Sequence, residues 1–263
     1  MTSHKIYDAP SKLNIFLKIV GRREDGYHLI SSRFVRYDAL RDKLWFENAS
    51  AKGFDIVGDF NCPIENNSIY RAFTQLSRIY PSKELFDFAA AHKVIVYKQI
   101  PSGAGLGGAS SDAATFLMMI NEAAGLKLSN EELTQVGAKV GADVAFFLSG
   151  YAAANVSGIG EKIEPFSEIT PRFTLKTPPI LCETPKVYQT FRLNYSDRAQ
   201  SNAKLADRLL TMTSADILRA EYEAQDLNDL LLPALKSYPE LMEYREDGWF
   251  FSGSGSAFFR SEL

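Results

Sequence analysis

The sequence predicts an α+β fold, with strands and helices mixed along its length and a second half richer in helix. Three observations carry that reading. Leu13, Ile15, Leu17 and Ile19 alternate with Lys12, Asn14, Phe16 and Lys18, the period-2 pattern of a half-buried strand, which puts Lys12 and Asn14 on one face. Val94, Ile95, Val96 and Tyr97 form a β-rich lead-in to a glycine-dense loop, and the run from Ser110 to Ala124 follows with no Pro or Gly and much Ala, Leu and Met. Gly125 ends that helix, and another helix comes next, because Ser129 and Glu132 make a capping box ahead of Leu133, Val136 and Val140.

The other elements follow in chain order. Asp25-Gly26 closes a turn into a second strand near Leu29 to Tyr37, and Lys43 to Glu47 reads as a third. Asn67 stands where it can cap a helix carrying Ile69, Ala72, Phe73, Leu76 and Ile79. The tempo changes near Gly158. Short strands with prolines follow Pro165, Thr184-Pro185 starts a helix, and further helices are expected around Asn202 to Met212 and Ala215 to Ala224. Asp226 to Leu232 and Pro239 to Arg245 continue the helical half. Trp249-Phe250-Phe251 and Ala257-Phe258-Phe259 read as strands around Ser252-Gly253-Ser254-Gly255-Ser256. No internal repeat or low-complexity tract interrupts the chain.

At 263 residues, 46% of them hydrophobic, the chain can bury one large core or two joined without an obvious linker. Its 29 basic residues are scattered and outnumbered by 32 acidic ones, so there is no electrostatic footprint for nucleic acid. Cys62 and Cys182 lie far apart with no CxxC, which speaks against zinc and against a disulfide framework. The apolar stretches near Ala113 to Ile120 and Val144 to Val156 are short or broken by Ser149-Gly150, under the roughly 18 residues a membrane span needs. No apolar segment follows His4 to form a signal peptide, and the chain reads as cytoplasmic.

Pro101, Ser102, Gly103, Ala104, Gly105, Leu106, Gly107, Gly108, Ala109, Ser110 and Ser111 form the loop that holds most information. Glycines let backbone N–H groups approach a ligand, and the first turn of a helix presents unpaired donors at the positive end of its dipole, so the segment suits phosphate. A Walker A loop requires Gly-Lys-Ser/Thr, but here Gly108 precedes Ala109 and Ser110. Gly103, Gly105 and Gly108 satisfy G-x-G-x-x-G, yet the dinucleotide fold needs a strand after the helix, where this chain has its Ser129-capped helix. A tight turn with no ligand is the bland alternative, and four glycines with two serines argue against it.

The segment resembles the central motif, P-x-G-x-G-L-G-S-S-A-A in outline, of the GHMP kinases, small-molecule kinases named for galactose, homoserine, mevalonate and phosphomevalonate. The proline, three glycines, the leucine and the paired serines match, and the added Gly108-Ala109 is the form of one branch. Pro10-Ser11-Lys12-Leu13-Asn14-Ile15-Phe16-Leu17 with Gly21-Arg22-Arg23-Glu24-Asp25-Gly26-Tyr27-His28 resembles the first motif of that branch. Its acceptor is a cytidine diphosphate derivative of a methyl-branched polyol. Gly141-Ala142-Asp143-Val144 and the loop from Ser252 to Ser256 resemble the branch's remaining motifs, so four motifs in family order cover residues 10–259.

The resemblance implies a two-lobed GHMP kinase fold. A nucleotide-binding lobe like domain 2 of ribosomal protein S5 would occupy 1–155, and a ferredoxin-like α/β lobe 156–263. It implies phosphorylation of the polyol's 2-hydroxyl by ATP with Mg2+, a step of non-mevalonate isoprenoid precursor synthesis, by a monomer or homodimer. Related enzymes usually continue through another helix and strand beyond the position of Phe259, so a shortened carboxyl-terminal lobe is expected.

The same resemblance assigns roles. Asp143 is implied as the acceptor of the hydroxyl proton, with Lys12 beside it stabilising negative charge; read from the residues alone, Asp143 caps a helix equally well and Lys12 is a solvated strand lysine. Asn14 is implied as a substrate contact. Tyr27 and His28 are implied to hold cytosine, since a pyrimidine takes an aromatic face and an edge partner. Tyr188, one helical turn from Thr184, is placed against the base's other side. Asn67 and Lys98 are implied to line the adenosine pocket, although a helix cap and a strand-end lysine explain them too. Gly253 and Gly255 are implied to close on the acceptor. The metal ligands are unassigned; Ser111 or Asp112 could reach the ion through water, because Mg2+ is carried chiefly by nucleotide phosphates. Two other functions compete: a kinase for another small alcohol, which the Tyr27-His28 pair and Tyr188 oppose, and a nucleotide-binding regulator without catalysis, which the presence of both Lys12 and Asp143 opposes.

Overall fold

The structure, a computed structural model, describes residues 4–49, 53–196 and 199–262, with no side-chain description for 199–201. In chain order the first part holds β1 (Tyr7–Arg22), β2 (His28–Asn48), β3 (Asp55–Val57), α1 (Ser68–Ile79), α2 (Lys83–Ala91), β4 (His92–Tyr97), α3 (Gly108–Ala123), α4 (Asn130–Ala138) and α5 (Val144–Ser149). There follow β5 (Ala153–Gly158), β6 (Lys162–Pro165), β7 (Phe173–Lys176), α6 (Thr184–Asn194), α7 (Ala199–Thr211), α8 (Ser214–Arg219), α9 (Ala224–Leu227), α10 (Leu231–Ser237), β8 (Phe250–Phe251) and β9 (Phe258–Ser261). These make two compact units, each assembled from separated segments. The first is Met1–Ser11, Tyr37–Ile100 and Gly107–Gly150; the second is Lys12–Arg36, Pro101–Leu106 and Tyr151–Leu263.

In the first unit Lys43 to Asn48 of β2 pair antiparallel with β4, and β3 lies parallel to β4. Helix α3 packs against α1, α4 and α5. Its Ala113, Ala114, Phe116, Leu117, Met119 and Ile120 have no exposed area, and each fully buried large apolar side chain contributes about 1.5–3 kcal/mol. The helix ends as its sequence dictates: Gly125 takes φ +65°, its N–H donates to Glu122 O, and Leu126 N donates to Asn121 O, a Schellman closure. Ser129 and Glu132 form the expected capping box on α4, and Asn67 Oδ1 accepts from Ile69 N at 2.9 Å to cap α1.

In the second unit Ile30 to Val35 of β2 pair with β5, which pairs in turn with β6. A separate sheet has the order β7-β9-β8, all antiparallel, with the aromatic strands β8 and β9 flanking the loop 252–257.

Three expectations are corrected. The strands read near Leu29 to Tyr37 and Lys43 to Glu47 are one continuous strand, whose halves pair with β5 and β4, so the polar stretch between them marks a change of partner. Strand β1 is buried on both faces from Ala9 to Ile19 instead of half-buried, because its polar side chains find internal partners. The helix expected from Ala215 to Ala224 stops at Arg219 as α8, and the helical stretch expected from Asp226 to Leu232 is interrupted, because α9 ends at Leu227 and Asn228 is extended, bridging to Leu17 of β1.

A buried ion pair knits the second unit. Arg33 of β2 and Glu168 have no exposed side-chain area and stand 3.5 Å apart. The guanidinium also donates to Asn155 Oδ1 at 2.7 Å and Leu210 O at 3.0 Å, and lies over the Phe166 ring. Glu168 accepts from Ser214 N and Oγ, both at 2.6 Å, at the start of α8. Removing one partner strands the other in a dry site, so Glu168→Ala should lower unfolding free energy by about 3–5 kcal/mol in urea titrations.

Candidate active site

The phosphate-type loop is shaped by its glycines and by what lies beneath them. Gly103, Gly105 and Gly107 all have positive φ, near +70°. A Cβ on Gly105 would collide with the Ser252 carbonyl oxygen, so this position needs glycine for packing as well as for conformation. Ala257 N donates to Ala104 O at 3.0 Å, tying the loop 252–257 to the first loop by main chain. Helix α3 then opens with Gly107 in the left-handed region and no side-chain cap, and the first helical bond runs from Ser111 N to Gly107 O at 2.9 Å. The N–H groups of Gly108, Ala109 and Ser110 are therefore left without a helical acceptor, the arrangement that attracts anions.

Lys12 lies directly against this loop. It is only 3% exposed, its backbone N donates to Leu106 O at 2.9 Å, and its Nζ donates to Gly105 O at 3.1 Å and to Asn14 Oδ1. The ammonium sits 4.6 Å from the centroid of the Phe34 ring. The solvated-lysine alternative is thus excluded. Asn14 Nδ2 donates to Ser32 Oγ at 3.0 Å, and Asn14 N donates to Ser252 Oγ at 3.2 Å. Ser252 Oγ in turn donates to Gly105 O at 3.1 Å. Lys12, Asn14, Gly105, Gly253 and Gly255 are brought together in the second unit.

Thr184, at the start of α6, shares a hydrogen bond of 2.7 Å with Ser254 Oγ, which places it at the second glycine loop. One turn on, the Tyr188 ring lies 5.4 Å from that of His28 at an interplanar angle of 30°, and Phe191 meets His28 edge-on at 5.6 Å. Burial, then the neighbouring charges of Arg22 and Arg192, holds the His28 pKa below 6.5, so the ring is neutral at pH 7. Tyr27 is 62% exposed and free of any such ring stack among the described contacts.

The first unit carries the remaining candidates. Asp143 occupies the N-cap position of α5 with helical φ and ψ and makes no side-chain cap bond, so the capping alternative fails. Its segment reaches the opening of α3, since a Cβ on Gly141 would stand 3.7 Å from Ser110 Oγ. Asn67 is the α1 cap. Lys98 is committed to two carboxylates, Asp42 and, at 2.6 Å, Asp112. Asp42, fully buried, also accepts from Gln99 N and Ile100 N, fixing the chain just before Pro101. Sequence reading missed Asp42 and Ser252 as supports. An acid between two basic residues at the middle of a strand, and the serine ahead of two glycines, were the available signals.

Among the described residues there is no group of three or more His, Cys, Asp or Glu able to hold a metal ion. Ser111 Oγ and Asp112 Oδ1 are nevertheless buried without a hydrogen-bond partner, hard oxygen atoms of the kind that suit Mg2+ or its water. Burial pushes the Asp112 carboxyl up to about 7 from the ordinary 3.8, against the pull of Lys98. A carboxyl with a raised folded pKa stabilises the fold only while protonated; that contribution is full below pH 3.8 and fades as pH rises toward 7. Asp112→Asn removes this titration, and the stability difference from wild type in urea midpoints should change steadily across that window, in the variant's favour as pH rises.

Residues 67–151 match the family described as GHMP kinases N terminal domain. A 4-diphosphocytidyl-2-C-methyl-D-erythritol kinase from Sulfurimonas denitrificans is 44% identical over 97% of this chain and 96% of its own length. The crystal structure of a 4-(cytidine 5'-diphospho)-2C-methyl-D-erythritol kinase superposes with a TM-score of 0.70 at 29% identity, covering 98% of this chain and 90% of that one. Methanococcus jannaschii mevalonate kinase, at 13% identity and a TM-score of 0.63, shares the fold. The chain belongs to the GHMP kinase family.

Proposed function

We propose that this chain transfers the γ-phosphoryl group of ATP to the 2-hydroxyl of 4-diphosphocytidyl-2-C-methyl-D-erythritol, a reaction of isoprenoid precursor synthesis. The near full-length match to a kinase of that name carries the reading. The geometry supports it with a glycine loop opening into an uncapped helix and a buried lysine beneath that loop.

The chemistry follows from the residues. Asp143 takes the proton of the 2-hydroxyl, whose oxygen attacks the γ-phosphorus as the bond to the β–γ bridging oxygen breaks and ADP leaves. Lys12 offsets the negative charge that grows on the transferred group, and its bonds to Gly105 O and Asn14 Oδ1 hold it oriented before reaction. Helix α3 presents its first N–H groups to the nucleotide phosphates. Mg2+ brought in on those phosphates would neutralise part of their charge, with Ser111 and Asp112 as the oxygens best placed to hold it or its water. Tyr27, His28 and Tyr188 offer the cytosine an aromatic face and an edge partner, Asn14 and Thr184 contact the polyol and diphosphate, and Asn67 and Lys98 serve the adenosine. The amino-terminal residues 1–155 are the ATP-binding domain and 156–263 the carboxyl-terminal one. No described helix is long and apolar enough to cross a membrane, and the enzyme works in the cytoplasm on a small-molecule substrate. A kinase for a smaller alcohol would have no base to set against His28 and Tyr188, and a regulator without catalysis would need neither Lys12 nor Asp143.

Purified protein should release ADP from MgATP only when this acceptor is present, and Asp143→Asn should lower kcat by about 10²–10⁴-fold. Acceptor-independent ADP release, or none, would contradict the reading. Because the His28 pKa is held below 6.5, the acid-side rise in KM for the acceptor should begin at lower pH than the titration of a free imidazole would give. His28→Ala should raise that KM while leaving KM for ATP unchanged.

A further inference from the structure

We propose that Asn228 is a positioning residue of this kinase, whose carboxamide clamps the second glycine loop and through Ser252 sets the height of the phosphate loop at Gly105. The proposal rests on the reaction assigned above. Asn228 lies in the linker between α9 and α10, is 2% exposed, and has extended φ and ψ. Its Nδ2 donates both of its hydrogens to the loop, to Phe251 O at 2.8 Å and Gly253 O at 3.0 Å, while Oδ1 accepts from Leu230 N at 2.9 Å. The two clamped carbonyls flank Ser252, the residue whose hydroxyl joins Asn14 N to Gly105 O.

Asn228 is itself fixed to the strand that carries Lys12. Asp229 N donates to Leu17 O at 2.9 Å, and the Asp229 carboxylate accepts from Ile19 N at 2.6 Å, from Asn202 Nδ2 at 2.7 Å and from Lys18. The hydrogen bonds therefore close a circuit from β1 through Asp229 and Asn228 to the carbonyls beside Ser252, then through the Ser252 hydroxyl to Gly105 and back to Asn14 on β1. A linker residue serving only its own helices would not direct both amide hydrogens at a distant loop. Only an amide can do this from that place, because aspartate of the same shape would set an oxygen against two carbonyl oxygens. Displacements of about 1 Å in positioning groups cost up to ~10²-fold in rate, and Gly105 O is also the anchor of the Lys12 ammonium.

The test compares wild type with Asn228→Asp, Ser252→Ala and Asn202→Ala, measuring kcat, both KM values and Tm. Asn202 touches Asp229 and Ile19 O in the same network but makes no bond to the loop, so it reports general weakening. Asn228→Asp should lose kcat by roughly 10–100-fold, with Asn202→Ala lowering Tm and keeping kcat. If Asn228→Asp does not fold, Ser252→Ala carries the test and should show the same loss in kcat. A folded Asn228→Asp or Ser252→Ala with wild-type kcat overturns the proposal, as does an equal loss in Asn202→Ala. Should the wild type release no ADP with the acceptor, the reaction assignment fails instead. Hydrogen exchange at residues 252–255 then decides the clamp on its own: faster exchange in Asn228→Asp supports it, unchanged exchange overturns it.

Discussion

Lys12 Nζ and Ser252 Oγ both donate to the carbonyl oxygen of Gly105, and the position of that oxygen sets the rest of the site. It fixes where the phosphate loop runs, where the lysine's charge is held, and how closely the second glycine loop lies on the first. Gly105 is the point at which no larger residue fits, since its missing Cβ is the space the Ser252 carbonyl uses. A buried ammonium with carbonyl and amide partners costs less than a bare one, and its charge is screened less than it would be in water.

The polar groups that shape the chain are mostly internal. Arg33 with Glu168, Lys18 with Asp229, and Lys98 with Asp42 and Asp112 are buried pairs or triads. Such groups add little net stability compared with apolar replacements, but each enforces one arrangement of the backbone, because any other leaves a charge unpaired. Two of them stand next to the functional loops. Asp42 ties down the strand end before Pro101, and Asp229 ties β1 to the linker that grips the second loop.

The parts of the structure legible in the sequence were those governed by local rules. The capping box on α4, the Asn67 cap on α1, the Gly125 termination of α3 and the Thr184-Pro185 start of α6 each follow from a few neighbouring residues. The positive φ of Gly103, Gly105 and Gly107 was legible too, because that spacing of glycines demands a loop other residues cannot form. What sequence could not show depends on distant partners. The continuity of β2 needed two different strands to pair with its two halves, and the double burial of β1 needed acceptors for Lys12 and Lys18 drawn from far along the chain. The extended backbone of Asn228 between α9 and α10 accompanies a bridge to Leu17, more than two hundred residues earlier. Asp143 shows the reverse case: its position reads equally as a cap or as a working group, and the structure shows no side-chain cap bond there.

His28 and Tyr188 form a ring pair, and the proposed reaction gives that pair a base to hold, which a simple polyol phosphate lacks. The most direct measurement is turnover of MgATP with 4-diphosphocytidyl-2-C-methyl-D-erythritol beside turnover with 2-C-methyl-D-erythritol 4-phosphate, which carries the same hydroxyls and no cytidine. The account predicts efficient phosphorylation of the first and a kcat/KM lower by at least about 10²-fold for the second, as expected when remote binding energy is lost. Equal turnover of the two would contradict it.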